Sequence, residues 1–432
     1  MKYWILTALA CGLCLVNVWH TWHDVHDYGG TDLRVRVVGA RALLRGINPY
    51  TIEDTVDLDP ALRDPDREAL SRCTYHPTLL FFYAPLSSLK YSTQRIIWAM
   101  LEWSAFGISV WLLSGCIQSR YARFWFCVWA VGLFGGSWFW RLHVERGQYY
   151  IFVVLLISIG MFLLLRTKQT VTAGIFWGIA ICLRPTAAVL VLPWLTGVHR
   201  KVGFTAILTA IVAVAGATLM GRLEYWLDFL QLSRTWELSL LAGTFEGSAN
   251  PEVISRPTDG YIAAIMDGYA ANLTFVSLSR SVQTMCNTTL NPVVVARIGK
   301  GLWLGVLAVI WLMHRKTRQR QPARIEDQLL VGVCLMLVTD YFLPIRVEYA
   351  DMLFLIPLAL LMPVLMLKEY RVLAVLAAVT FEINTAPLSS LPFNAAAIVA
   401  MLRSVIVMYL LIRFAVTRMP ELNADEKMES TS

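Results

Sequence analysis

Gly29-Gly30-Thr31-Asp32-Leu33-Arg34-Val35-Arg36-Val37-Val38-Gly39-Ala40-Arg41-Ala42-Leu43-Leu44-Arg45-Gly46-Ile47-Asn48-Pro49-Tyr50 is where this chain leaves its first apolar segment. Before it runs a stretch that is apolar from about residue 2 to 20, and after it comes a long polar stretch. A carboxylate, Asp32, therefore sits at a boundary between membrane and water. Leu33, Val37, Ala40 and Leu44 recur at helical spacing, with Arg34, Arg41 and Arg45 largely off that stripe. The pattern predicts a basic amphipathic helix in the headgroup plane. Thr31 and Asp32 are good N-capping residues, so Asp32 reads both as a cap and as a chemical group, and the two roles are compatible.

Outward from this stretch the chain reads as an all-α polytopic membrane protein. Hydrophobic residues make up 57% of it and charged residues 16%, with a mean hydropathy of +0.57. A water-soluble domain carries nearer a quarter charged residues. Apolar runs of about 17 to 25 residues recur, the length a helix needs to cross a bilayer, and each spanning helix satisfies its own backbone. About twelve spans are expected, near 2–20, 93–117, 123–140, 149–165, 171–184, 185–198, 202–220, 292–313, 327–343, 351–367, 371–383 and 394–414. The run 77–89 reads as an interfacial or re-entrant helix; were it a span, the sidedness of every later loop would flip. No small-x-small cleavage site precedes 19–26, so the first segment is expected to stay as an anchor.

Basic residues set the orientation. Lys2, Arg120, Arg123, Arg166, Lys168, Arg200, Lys201, Lys368 and Arg371 fall on one side, with the cluster Arg315, Lys316, Arg318, Arg320 and Arg324. That side is assigned to the cytoplasm, in a plasma (inner) membrane. Two extracytoplasmic loops follow, 21–92 with Asp32 and 221–291 with Tyr225, Trp226, Trp236, Phe245, Tyr261, Tyr269 and Phe275; both are expected to be folded. Residues 1–418 form one membrane domain and 419–432 a short polar cytoplasmic tail. The net charge of +7 is mostly an orientation signal, and no soluble basic face points to nucleic acid.

Cys11 and Cys14 have C-x-x-C spacing inside an apolar helix, where a redox or zinc site is implausible. Cys73 and Cys286 fall in the outer loops and could pair. His20, His23 and His26, with Asp24 and Asp27 between them, read either as zinc ligands or as a polar collar on the first helix. No phosphate-binding P-loop or dinucleotide fingerprint is present, so no cofactor is expected. The sequons at Asn272 and Asn287 matter only in a eukaryotic secretory compartment.

Ionisable groups at helix ends next to a bilayer are costly and mark function. Besides Asp32 they form three outer clusters: His143, Glu145, Arg146 and Gln148 around Gly147; Arg184 before Pro185; and Asp340 to Asp351, with Arg346, Glu348 and Tyr349. Arg184 and Arg346 have no carboxylate partner fixed by sequence and suit an anion, since guanidinium is always charged and offers a planar fork of donors.

The stretch Asp32, Gly39-Ala40-Arg41-Ala42, Leu43-Leu44-Arg45-Gly46 and Tyr50 resembles the start of glycosyltransferase family 87, the polyprenyl-phosphate-mannose-dependent mannosyltransferases of bacteria. Tyr75-His76-Pro77, Ala84-Pro85-Leu86, Gly147-Gln148 and Arg184-Pro185 are similar to later family segments, over 32–357. The usual Ser-Pro and His version of the late loop is absent from 344–351. The resemblance implies a GT-C-type bundle. It would move a hexose, mannose in the best-known case, from a polyprenyl-phosphate donor to a lipid or glycan acceptor among the membrane lipids, on the outer face and with inversion. Asp32 would be the general base, because a phosphate leaves without protonation and one carboxylate suffices. Arg184 and Arg346, with His143 or Arg146, would hold the donor phosphate, and Gln148, Glu145, Glu348, Tyr349 and His76 would contact sugar or acceptor. A flippase or small-molecule transporter would instead place charges near the midplane, and a scaffold would tolerate change at Asp32. Cysteine-accessibility labelling should find 21–92 and 221–291 outside and 314–326 inside; labelling of 314–326 from outside would invert the whole assignment.

Overall fold

The structure is a computed structural model that describes residues 2–27, 30–52, 58–63, 73–196, 199–242, 274–320, 324–343 and 346–367, with short pieces at 370, 372, 375–376, 406–407 and 409–414. Phe245, Tyr261, Tyr269, Asn272, the tail 419–432 and most of the expected spans 371–383 and 394–414 lie outside the described residues. Within them the protein is all-helical. Six helices are long and apolar enough to cross a membrane: Trp4–His26, Tyr91–Cys116, Tyr150–Thr167, Arg200–Met220, Pro292–Lys316 and Glu348–Leu365. About twelve spans were expected; six helices meet that standard among the described residues, because several legs are short or interrupted.

In chain order α1 is Lys2–Asp27, α2 Thr31–Leu44, α3 Pro77–Tyr83 and α4 Tyr91–Cys116. Then come α5 Arg120–Trp129, α6 Trp138–Arg146, α7 Tyr150–Phe162 and α8 Thr170–Leu183. A 3-10 run, Pro185–Trp194, leads to α9 Arg200–Met220, α10 Leu223–Ala242, α11 Phe275–Met285 and α12 Pro292–Arg320. The last described elements are α13 Ile325–Asp340, a second 3-10 run Glu348–Phe354 and α14 Leu355–Leu365.

The expected span 123–140 is broken by a π-helical turn, Ala130–Gly135, between α5 and α6. Its glycines explain the break. A Cβ on Gly136 would lie 2.6 Å from Leu13 Cβ, and one on Gly132 would lie 3.1 Å from Ala10 Cβ. Asn17 of α1 donates to the carbonyl of Gly135 at 2.9 Å, and to that of Ser137 at 2.8 Å, which also accepts the Arg141 N–H. Backbone polar groups freed inside a membrane protein need such partners. The π turn thus lets α1 pack against the bundle and tilts α6 toward Asp32.

The run 77–89 does not span. It holds α3 and a 3-10 turn, Ala84–Leu86, about 15 Å of helix against a hydrocarbon core of about 30 Å. Leu79, Leu80 and Tyr83 are fully buried, and Thr78 Oγ1 donates to the Cys182 carbonyl at 3.0 Å. It is a plug seated on the end of α8.

The largest revision concerns α2. It does not lie on a surface: Leu33, Arg34, Arg36, Val37, Val38, Gly39, Ala40, Ala42 and Leu43 are buried, and Leu44 is exposed. A Cβ on Gly39 would come within 2.9 Å of Cys73 Sγ and 3.0 Å of Leu80, so glycine lets α3 approach. The N-cap is Gly30, in the left-handed region at φ 38°, with no side-chain cap bond. Asp32 is therefore released from capping.

Cys73 and Cys286 are both free thiols, one buried and one exposed. His20, His23 and His26 lie in the last turns of α1, where His26 Nδ1 meets the Trp22 carbonyl at 2.7 Å and His23 packs on Trp19. Among the described residues no three His, Cys, Asp or Glu side chains gather as metal ligands.

Helices in lipid associate by close packing rather than by hydrophobic exclusion. The α8–α9 pair shows it: a Cβ on Gly174 would fall 2.6 Å from the Val202 carbonyl, and one on Gly178 2.6 Å from the Ala206 carbonyl. Gly178→Val should lower stability in detergent by about 1–3 kcal/mol, read from the thermal midpoint. Gly216→Val, with nothing within 4 Å of its Cβ, should leave that midpoint unchanged.

Candidate functional site

One end of the bundle gathers the C-terminus of α6, the start of α7, the N-terminus of α2 and the second 3-10 run. The first turn of α2 presents Asp32, where a helix N-terminus favours negative charge. Gly147 caps α6 at φ 68°, and a Cβ there would lie 2.7 Å from Leu33 Cβ. Glycine at 147 thus seats α2 on the α6–α7 corner and brings Asp32 to Arg146 and Gln148.

Arg146 Nε donates to Asp32 Oδ2 at 2.8 Å, and Gln148 Nε2 donates to the same oxygen. The Tyr75 hydroxyl donates to Oδ1 at 3.2 Å. Gln148 is fully buried, and its Oε1 accepts from Arg36 at 2.7 Å. That pairing fixes the amide orientation, since Arg36 only donates and Asp32, when ionised, only accepts. Burial pushes the Asp32 carboxyl upward, but Arg146 and Arg36 together outweigh it and hold it below the ordinary carboxylate range. Asp32 is therefore ionised at neutral pH. Tyr349 packs on Tyr150, ring centroids 5.4 Å apart, and lies within the electrostatic reach of Asp32 and Arg146.

A second charged cluster adjoins the first. Arg184 grips Asp340 bidentately, Nε to Oδ1 at 3.2 Å and Nη2 to Oδ2 at 2.7 Å. Thr186 adds a bond to Oδ1 at 3.1 Å. Arg346 donates to Asp351 at 2.7 Å and stands 4.0 Å from Asp340. The sequence left open whether these two arginines meet a carboxylate or a phosphate; here both meet carboxylates, from the end of α13 and from the 3-10 run. Tyr149 joins the clusters, within electrostatic reach of Arg184 and 4.9 Å from the Arg36 guanidinium.

Exposure separates the two clusters. The side chains of Asp32 and Arg146 each keep 14% of their surface open, while Arg184 keeps 5% and Arg346, Asp340 and Asp351 none. Asp32 and Arg146 are thus the members of the two clusters that keep the most contact with the outside.

The other expected site residues lie elsewhere. His143 is buried under the corner; its Nε2 accepts the Ile151 N–H at 3.2 Å and its Nδ1 lies 3.1 Å from Glu102. His76 faces away from Asp32. Its Nδ1 caps α3 by accepting the Leu79 N–H at 3.2 Å, and its Nε2 meets the Leu183 carbonyl at 3.3 Å. Burial pushes His76 down to about 4, so the ring is neutral. Glu145 is half-buried on the side of Asp24 and Arg141, with its carbonyl taken by Arg95 at 3.2 Å. Glu348 is buried at the start of the 3-10 run.

Four contributors escaped the sequence reading. Arg36 stands four residues after Asp32, hence on the same helix face, a signal that was available. Glu102 is a fully buried acid in an apolar helix, itself a flag. Tyr75 stood in the family-like Tyr75-His76-Pro77 segment with no role assigned to it, and Tyr149 carries no local signal beyond its type.

Glycosyltransferase family 87 matches residues 74–339, well over half of the chain, and the chain belongs to that family. The matched part contains Tyr75, His143, Glu145, Arg146, Gln148 and Arg184; Asp32, Arg346, Glu348 and Tyr349 lie outside it. No curated protein and no solved structure matches the chain. It is a membrane glycosyltransferase of this family.

The Arg184–Asp340 pair yields a prediction. Removing one member of a buried ion pair typically costs about 3–5 kcal/mol, whereas replacing both by apolar groups is often close to neutral. Asp340→Leu should therefore sharply lower thermal stability in detergent, and Arg184→Met with Asp340→Leu should recover most of it. Comparing the three thermal midpoints checks this.

Proposed function

We propose that the protein transfers a hexose, with mannose the first candidate, from a polyprenyl-phosphate donor to a hydroxyl of a lipid or glycan acceptor on the extracytoplasmic face. The observation that carries this reading is the Asp32–Arg146 pair, whose side chains each keep 14% of their surface open beside a charged cluster closed to 5% or less. Sidedness rests on the basic residues at the opposite end of the bundle, Arg120, Arg166, Lys168, Arg200 and Lys201.

Asp32 takes the proton of the acceptor hydroxyl as its oxygen bonds to the anomeric carbon from one side. The bond from that carbon to the phosphate oxygen breaks on the other, with inversion, and the phosphate leaves with both electrons of that bond. Charge grows on the phosphate, and Arg146 is the accessible cation to meet it through charge-assisted hydrogen bonds. As the phosphate draws Arg146 away, Asp32 loses its strongest counter-charge and becomes a better base at the moment it is needed. Arg184 and Arg346 stand behind, neutralised by Asp340 and Asp351, and help fix Tyr149 and Tyr150 beside the site. Tyr349 faces the sugar from the second 3-10 run.

Asp32→Asn keeps the shape but cannot accept a proton. In proteoliposomes with radiolabelled polyprenyl-phosphate mannose and a membrane lipid extract as acceptor, it should insert and bind donor. It should transfer sugar about a hundred- to ten-thousand-fold more slowly. Near-normal turnover by Asp32→Asn, with Asp27→Asn inactive, would move the base to Asp27. Activity carried by a carboxylate held below its usual range is lost only as pH falls through that lowered value. The wild-type kcat/KM, which reports the base of the free enzyme, should thus show no Asp32-dependent fall between about pH 7 and pH 5, the ordinary Asp value being about 3.9.

A further inference from the structure

Arg36 belongs to none of the roles above, yet it is among the largest fully buried side chains, at 1% exposure. Its guanidinium is satisfied in two directions. Nη1 donates to the Gly147 carbonyl at 2.9 Å and the Tyr83 hydroxyl at 3.3 Å, and Nη2 to Gln148 Oε1 at 2.7 Å and the Tyr75 hydroxyl at 3.0 Å. The plane is held between the rings of Tyr75, 4.2 Å away, and Tyr149, 4.9 Å away. Both groups that Nη2 touches then donate onward to Asp32, Gln148 to Oδ2 and Tyr75 to Oδ1.

We infer that Arg36 is the positioning residue of the reaction: through two separate arms, Gln148 and Tyr75, it sets both oxygens of Asp32 against the acceptor hydroxyl. This rests on Asp32 being the base. Each arm passes on one hydrogen bond. Together they fix the rotation of the carboxylate as well as its place, which one bond does not. A guanidinium suits the task because its planar fork presents several donors at fixed angles, whereas an ammonium is a single point charge. Arg36 touches no substrate in this arrangement, so its loss acts on turnover and leaves donor binding alone.

The charged and titratable groups facing Asp32 are few. Arg36 comes from α2 itself, Arg146 from α6, Tyr75 from the segment before α3, and Tyr349 from the second 3-10 run. Hydrogen bonds to an ionised carboxylate favour that form, so losing or misaligning the Gln148 and Tyr75 bonds that Arg36 sets moves the acidic limb of the turnover profile to higher pH.

The test uses the full-length protein in proteoliposomes with polyprenyl-phosphate mannose as donor, alongside Asp32→Asn. Arg36→Lys should insert normally and keep the donor KM. Its kcat should fall about tenfold to a hundredfold, the order of loss expected from a misplacement of about 1 Å, and its acidic limb should shift upward. The carboxyl band that disappears in Asp32→Asn, followed by infrared pH titration, should shift in the same direction without any substrate. Tyr75→Phe and Gln148→Met each cut one arm. Each should show a smaller version of both effects, and these two variants carry the test if Arg36→Lys does not fold. Wild-type kcat and an unmoved carboxyl titration in Arg36→Lys or in both arm variants, or a loss confined to KM, overturns the inference while Asp32→Asn stays inactive. An active Asp32→Asn would instead remove the base on which the inference stands.

Discussion

An ionised carboxylate at the mouth of a membrane bundle persists only if cations from more than one element meet it. Asp32 satisfies this through Arg146 of α6 and, across Gln148 and Tyr75, through Arg36 of its own helix. Burial of a bare carboxylate would drive it to its neutral form. Here the two arginines win, and the group stays charged in a place that water reaches only partly. Much of the local architecture serves that balance. Gly147 lets α2 sit on the α6–α7 corner, Gly39 lets α3 close over α2, and the π turn at Ala130–Gly135 tilts α6 into place.

The second cluster has the same logic with a different outcome. Arg184, Arg346, Asp340 and Asp351 come from α8, α13 and the second 3-10 run and neutralise one another behind closed walls. Such a knot fixes where helices end, whereas the Asp32–Arg146 pair stays open to a ligand. Tyr149 and Tyr150 lie between the two and carry Arg36 on one side and Arg184 on the other. Binding a phosphate at the open pair would thus be felt at the closed one.

Several of these features were legible in the sequence. Apolar length identified a membrane bundle, and the ionisable residues at helix ends pointed to the end where Asp32, Arg146 and Gln148 gather. Asp32, Arg146 and Gln148 were named from position alone and prove to be in direct contact. What sequence could not carry is pairing across long separations, such as Arg184 with Asp340, 156 residues apart. Nor could it show that α2 is clamped on nearly all sides, because an amphipathic pattern with arginines reads the same for a surface helix and for a buried one whose arginines bond to neighbouring elements. Six described helices reach the length of a bilayer crossing, against about twelve expected spans; legs such as α8, at 14 residues, are apolar but short, and most of 371–383 and 394–414 lies outside the described residues.

The central claim is that one open ion pair divides the labour of the reaction, with Asp32 for the acceptor proton and Arg146 for the donor phosphate. A structure with polyprenyl-phosphate mannose bound tests it most directly. The account predicts the phosphate within hydrogen-bond distance of Arg146, and the Asp32 carboxylate facing the anomeric carbon from the opposite side. A phosphate seated away from Arg146, or an anomeric carbon out of reach of any hydroxyl that Asp32 could contact, would contradict it.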